Sequence, residues 1–151
     1  ALMADKRVWY VPTLSVTHNE SYMRRMGWAP IAIEKALAAA PGHQRAFRMA
    51  LAAGVRIANG SDLHPLAETT TAEVEQLVRC GMEPWDALVA ATRNAAEMCG
   101  VLADLGTIER GKLADLIAVP ANPLDDMRRL RNVALVVLNG AIVRNRLEEP
   151  R

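Results

Sequence analysis

The sequence is poor in aromatic residues, with three Trp, two Tyr and one Phe among 151 residues. It also lacks an excess of charge of either sign, because 18 basic residues face 17 acidic ones. Without a basic field or many stacking side chains, a nucleic-acid partner is not expected. No apolar run approaches the roughly 20 residues that a membrane helix needs, so no membrane association is expected either.

Cysteine is scarce as well, with Cys80 and Cys99 as the two examples. Both lie in segments with a helical pattern, and their spacing matches neither a redox motif nor zinc ligands. We therefore expect free buried thiols in a reducing compartment, the cytoplasm. What the sequence does have is apolar content: about half of its residues are hydrophobic, as in a globular chain that can bury one core.

The first hundred residues alternate between strand-like and helix-like patterns. Residues 7–16 are rich in β-branched and aromatic side chains and apolar on both faces, which predicts a buried parallel strand. A helical pattern covers residues 19–53 and is expected to end at Gly54. A second strand, residues 55–59, follows at once.

Two more helices are predicted after this strand. Thr70 and Glu73 have the spacing of a capping box that begins a helix, and Gly81 is expected to end it. Pro84 stands at a plausible first position of the next helix. Strand, helices, strand and helices in this order are typical of parallel βα units.

The pattern changes after residue 100. A short apolar strand at 116–119 is followed by two apolar runs around Asn139-Gly140, a strong hairpin signal, so these strands should be antiparallel. We therefore divide the chain at residues 1–100 and 101–151. Two βα units cannot close a barrel and so few strands make only part of a sheet, so we expect a fragment of a larger protein.

Five segments resemble, in order, the C-terminal third of the metal-dependent amidohydrolase superfamily, in its imidazolonepropionase-like and prolidase-like branch. They are VWYVPTL, GVRIANGSD, GMEPWDALVAATRNAAEMCGV, LGTIERGKLADLIAV and NPLDDMRRLRNVALVVLNGAIV. The resemblance implies an α/β fold: the last two βα units of a (β/α)8 TIM-like barrel, followed by antiparallel strands of a small β-sandwich.

Asp62 is the main candidate site residue, because it follows the second predicted strand at the end where such barrels carry their active sites. By resemblance it is a ligand of a divalent metal and the catalytic group that exchanges a proton with the metal-bound water. The alternative is a turn or helix cap. Gly60 should allow a close backbone approach, and Ser61 is expected to orient the carboxylate.

His64 and His18 are the candidate substrate-binding residues. His64 follows Asp62 in the loop, and metal binding by it is disfavoured because the family takes its histidine ligands from other strands. His18 is predicted on the loop after the first strand, where a solvent-exposed histidine is the alternative. Tyr22 should line the pocket or pack on the barrel rim, and Asp115 should be a structural hydrogen-bonding acid. His43 has no assigned role.

The family's His-x-His pair, its often carboxylated lysine and its two later histidines have no counterpart in this sequence. One carboxylate cannot hold a catalytic zinc, which needs about three protein ligands. The chain alone should therefore be inactive, and its partner should be the missing N-terminal part of the same protein. We also expect a homo-oligomer.

The function implied for the parent protein is metal-dependent hydrolysis of an amide C–N bond, with one or two divalent ions, zinc being favoured. Dipeptides of the prolidase kind or N-acyl amino acids are the expected substrates, and a cyclic amide of the imidazolonepropionase kind comes next. Two alternatives stay open at this point: a non-catalytic amidohydrolase-like scaffold, and an independent α/β binding module.

Overall fold

The computed structural model describes residues 2–147. The helices are α1 (Leu2–Asp5), α2 (Ser15–His18), α3 (Glu20–Arg25), α4 (Pro30–Ala52), α5 (Leu66–Arg79), α6 (Pro84–Ala91), α7 (Arg93–Met98) and a 3₁₀ helix (Met127–Arg131). The strands are β1 (Trp9–Tyr10), β2 (Arg56–Ile57), β3 (Leu116–Ala118), β4 (Leu135–Leu138) and β5 (Ala141–Asn145). Within this part of the chain, no helix is long and apolar enough to cross a membrane.

The first sheet is a parallel pair in which Trp9 lies opposite Arg56 and Tyr10 opposite Ile57. The pair is much shorter than the predicted strand at 7–16, which was wrong in extent. Pro12 has no N–H for the ladder, Thr13 has a φ of 49°, and the following residues turn into α2. The parallel direction was predicted correctly.

The predicted helical region at 19–53 is divided into α3 and α4. Gly27, with a φ of 70°, lies in the connection, and α4 continues through Pro41 without a break. Gly54 ends α4 as expected: its φ is 65°, and its N–H donates to the Leu51 carbonyl over 3.0 Å.

The capping box predicted at Thr70 and Glu73 is wrong. Helix α5 begins at Leu66 after Pro65, so both residues lie inside the helix. The Glu73 side chain does not return to the start of its own helix because its carboxylate binds backbone N–H groups of Leu14 and Ser15. A distant pair of donors has replaced the local cap.

The next predicted helix does begin at Pro84, but Thr92 divides it into α6 and α7. Both helices support the end of β2. The Asn59 N–H donates to the Ala90 carbonyl over 2.9 Å, and the Asn94 amide donates to the Ile57 carbonyl over 2.9 Å. These bonds fix the point from which the chain leaves the sheet.

The main core lies between β2 and the helices, with Phe47, Ile57 and Leu77 among its buried side chains. Cys80 is buried there, as predicted, whereas Cys99 is exposed, so its predicted burial was wrong. Both thiols are free, in agreement with the sequence analysis.

The second sheet has the order β3-β4-β5 and is antiparallel throughout. The predicted hairpin turn is confirmed: Asn139 and Gly140 have φ values of 49° and 78°, the pair of positive values that a type I′ turn needs. The Asp115 carboxylate accepts the Asn139 N–H over 2.6 Å. Asp115 therefore has the structural role that was predicted for it.

Candidate functional site

Asp62 lies in the loop after β2, at the C-terminal end of the parallel strands. Its side chain is exposed, whereas its neighbours Ser61 and Leu63 are 5% and 6% exposed. Its φ of 54° is in the left-handed region, which a non-glycine residue enters only at some cost. The loop thus presents one carboxylate while the residues on both sides are anchored.

Two buried hydroxyl groups, those of Ser61 and Thr69, hold the loop on both sides of Asp62. The Ser61 Oγ donates to the Thr69 Oγ1 over 3.0 Å, and the Thr69 hydroxyl donates to the Leu63 carbonyl over 3.0 Å. Ser61 therefore fixes the loop to α5, and the partners of its hydroxyl are Thr69 and Leu63 rather than the Asp62 carboxylate as we had expected.

Tyr22 of α3 holds the same loop at His64. Its hydroxyl donates to the His64 carbonyl over 2.6 Å and accepts the His64 N–H over 3.2 Å. The residue is only 4% exposed, so it packs beneath the loop and does not line an open pocket.

Gly60 allows the close approach that was expected of it. A Cβ atom built at this position would lie 2.7 Å from the Val11 Cγ1. Since real Cβ atoms do not approach other carbon atoms so closely, a side chain here would push the Asp62 loop away from Val11, the residue that follows β1.

His64 and His18 occupy different surroundings. His64 is exposed and shares the loop of Asp62. His18 is half-buried at the end of α2 and not on a loop, so that part of its prediction was wrong. Its Nδ1 lies 2.9 Å from both the Leu14 carbonyl and the Thr17 hydroxyl, and its ring centroid is 6.1 Å from that of His43.

A buried carboxylate supports the segment that carries His18. Glu73 is fully buried, and its two carboxylate oxygens accept the N–H groups of Leu14 and Ser15, each over 2.7 Å. Burial raises the pKa of Glu73, and hydrogen bonds from Ser15 and Leu14 together with the nearby His43 offset part of this increase. Burial, followed by the charge of Glu73, raises the pKa of Tyr10.

His43 joins this support, although the sequence analysis gave it no role. Its Nε2 donates to the Pro12 carbonyl over 2.7 Å, and its Nδ1 is 2.9 Å from the Thr17 hydroxyl. A signal for Glu73 was available in the sequence, because it shares a helix face with Leu77 and Cys80. No comparable local signal points to His43 or Tyr22.

Residues 1–143 match the model of the Amidohydrolase family. The chain belongs to the amidohydrolase family. Ochratoxinase from Aspergillus niger is 37% identical over 133 residues, which are 84% of this chain and 27% of that protein. Imidazolonepropionase from Symbiobacterium thermophilum is 38% identical over 79 residues, which are 50% of this chain and 18% of that protein.

Solved structures of amidohydrolases have the same arrangement of elements. A Xaa-Pro dipeptidase with methionine bound in its active site matches 95% of this chain with a TM-score of 0.82 and 34% identity. The chain spans 36% of the length of that structure. These matches confirm the predicted fold class, the last βα units of an amidohydrolase barrel followed by antiparallel strands.

Amidohydrolases generally use a divalent metal, and a carboxylate such as that of Asp62 has the chemistry of a ligand for one. An exposed carboxylate on a fixed loop is a suitable ligand for Zn²⁺ and other divalent cations. Within residues 2–147, however, no group of three His, Cys, Asp or Glu side chains is arranged to hold an ion. The described residues therefore do not form a complete metal site by themselves.

Proposed function

We propose that this chain forms a C-terminal part of a metal-dependent amidohydrolase that hydrolyses amide C–N bonds. Residues 1–100 would supply barrel elements and residues 101–151 strands of the accompanying sandwich. The observation that carries the proposal is the exposed Asp62, held by buried neighbours on both sides at the end of the parallel pair.

The role we propose for Asp62 is that of metal ligand and general base. The metal, for which zinc is favoured, would supply Lewis acidity toward the amide and the water. Asp62 would accept a proton as water attacks the amide carbon and return it to the nitrogen as the C–N bond breaks. The products are a carboxylic acid and an amine.

A dipeptide or an N-acyl amino acid is the substrate class we favour, because the Xaa-Pro dipeptidase is similar over 95% of this chain. A cyclic amide is the second candidate, supported by the similarity to imidazolonepropionase over half of the chain. His64 and His18 are the proposed substrate contacts, His64 from the Asp62 loop itself and His18 from the end of α2.

Substitution of Asp62 by Asn in the complete protein tests this proposal. The amide is a weak metal ligand and accepts no proton, so hydrolysis of Xaa-Pro, N-acyl and cyclic amide substrates should fall by about 100-fold or more. The matched control is Asp104→Asn, which changes an exposed aspartate outside the site. Near-normal turnover in the Asp62 variant would refute the assigned role.

His64→Ala separates metal binding from substrate binding. We expect its metal content to equal that of the unchanged protein and its effect to be confined to KM. Loss of stoichiometric metal would show that His64 is a ligand. A complete protein that binds no metal and hydrolyses none of the substrates would instead favour the scaffold alternative.

A further inference from the structure

The Asp62 loop is held at His64 by one side chain from another part of the chain. The hydroxyl of Tyr22, 42 residues away, both donates to and accepts from the backbone of His64. A single hydroxyl thus satisfies both backbone hydrogen-bonding groups of His64. His64 follows Asp62 by two positions, so these bonds limit how the intervening backbone can turn.

The backbone at Asp62 needs such restraint. With a φ of 54°, it occupies a conformation that an aspartate in a free loop would mostly leave. The Ser61 and Thr69 hydroxyls bond to each other and to the backbone of Leu63, on either side of Asp62, and the Tyr22 hydroxyl fixes the next residue, His64. We expect loss of the Tyr22 hydroxyl to leave the backbone conformation at Asp62 less restrained.

Tyr22 is itself fixed firmly enough to act as a support. Its backbone N–H donates to the side-chain oxygen of Asn19, the N-cap residue of α3, over 3.1 Å. The Arg25 guanidinium lies 5.7 Å from the centre of the Tyr22 ring and makes an ion pair with Glu68 of α5 over 2.5 Å. Helix α3 is therefore attached both to the Asp62 loop and to α5.

We propose that Tyr22 is a positioning residue for Asp62. Its hydroxyl holds the His64 backbone so that the Asp62 carboxylate keeps the direction needed to bind the metal and to accept a proton. The effect of this role on hydrolysis rests on the proposed function, whereas the restraint of the loop can be tested without it. Tyr22 acts through the backbone and does not touch the substrate.

Tyr22→Phe in the complete protein removes the hydroxyl and keeps the ring. Supports of metal ligands are worth about 10- to 100-fold in activity or metal affinity, so we expect kcat to fall by about that factor while KM changes little. The matched control is Tyr10→Phe, since Tyr10 is the other tyrosine and packs against the core. A purely structural role would lower thermal stability and leave kcat unchanged at 25 °C.

Hydrogen exchange gives a readout that does not depend on catalysis. The His64 amide should exchange at least about 10-fold faster in Tyr22→Phe and at the original rate in Tyr10→Phe, because its acceptor is removed in the first variant alone. An unchanged exchange rate would overturn the proposal, whether or not the protein hydrolyses amides. Faster exchange with unchanged kcat in an active enzyme would overturn the catalytic consequence.

Arg25→Met provides a second variant that leaves the hydroxyl in place. It removes the ion pair with Glu68 and should increase His64 exchange less than Tyr22→Phe does. A larger increase than in Tyr22→Phe would mean that the ion pair holds the loop, which contradicts the proposed role of the hydroxyl.

Discussion

At the scale of single residues, a carboxylate ligand serves a metal site best when surrounding groups hold it in place. Asp62 has such neighbours in Ser61 and His64, and each is bonded to a buried side chain. A similar arrangement is found after β1, where the buried Glu73 carboxylate accepts hydrogen bonds from the backbone N–H groups of Leu14 and Ser15. Buried polar groups thus shape both loops that leave the parallel pair.

Glu73 gives a pH prediction. Its pKa is raised in the folded state from the ordinary value of 4.5, mainly by burial, so the folded protein binds this proton more tightly than the unfolded chain. Stability contributed by this group is therefore present below pH 4.5 and is lost as the pH rises through the folded pKa. His43, Tyr10 and Cys80 are the titratable groups that face it.

Glu73→Gln removes this titration. The difference in free energy of unfolding between the original protein and the variant should decrease as the pH rises above 4.5, since the other groups titrate in both proteins. Urea unfolding of both at a series of pH values measures it, with Glu34→Gln as an exposed control. An increasing difference would mean that the hydrogen bonds from Leu14 and Ser15 outweigh burial.

The sequence revealed the residues whose local spacing carries information. The close approach at Gly60 was predicted because it follows a strand, and the turn at Asn139-Gly140 because a tight hairpin requires positive φ at both positions. The role of Asp62, which follows the same strand, stays a prediction. The partners of Tyr22 and Glu73 were not predicted, since they lie 42 and 59 residues away. Such contacts are decided by packing between elements, which no local pattern records.

At the scale of elements, the same limit explains the wrong boundaries. Residues 7–16 have the composition of a buried strand, yet Ser15–His18 form a helix, because the Leu14 and Ser15 N–H groups find acceptors on Glu73. Helix α5 likewise begins four residues before its predicted cap at Thr70, since Glu73 is used elsewhere. Element order was predictable here, and element ends were set by tertiary hydrogen bonds.

One ion pair joins the 3₁₀ helix to α5. Both nitrogen atoms of the Arg131 fork, Nε and Nη2, bind the Glu75 carboxylate over 2.5 and 2.8 Å. The Glu75 side chain is only 5% exposed, so its charge has little access to water. This pair connects the segment before the antiparallel hairpin to the helix behind the Asp62 loop.

Arg131→Met should therefore destabilise the protein. It leaves a buried carboxylate with Arg79 at 4.0 Å and the charge of Arg128 nearby but without its two direct hydrogen bonds, and we expect a loss of about 1–3 kcal/mol. The control is Arg24→Met, which removes an exposed pair with Glu20 and should cost less than about 1 kcal/mol. Equal shifts of the urea midpoint in the two variants would contradict the importance of burial.

At the scale of the whole molecule, much apolar surface of this chain is uncovered. A wide groove between α6, α7 and β3 is lined mainly by apolar side chains, among them Trp85, which is 64% exposed, and Ile117, which is 56% exposed. Within residues 2–147, β1 and β2 pair with each other alone, so each has an open edge. Uncovered apolar surface and open strand edges favour association.

We therefore predict that the 151-residue chain produced by itself is poorly folded or self-associated. Sedimentation velocity over a range of concentrations, with a thermal melt followed by circular dichroism, measures both properties. Ile117→Lys places a charge in the groove and should shift a self-associated chain toward the monomer. Ile31→Lys adds the same charge to α4 at a side chain of almost equal exposure, 57%, and should not. A monodisperse monomer with one sharp transition would favour the independent-module alternative, because a chain that depends on a partner for its barrel edges would not unfold in that way.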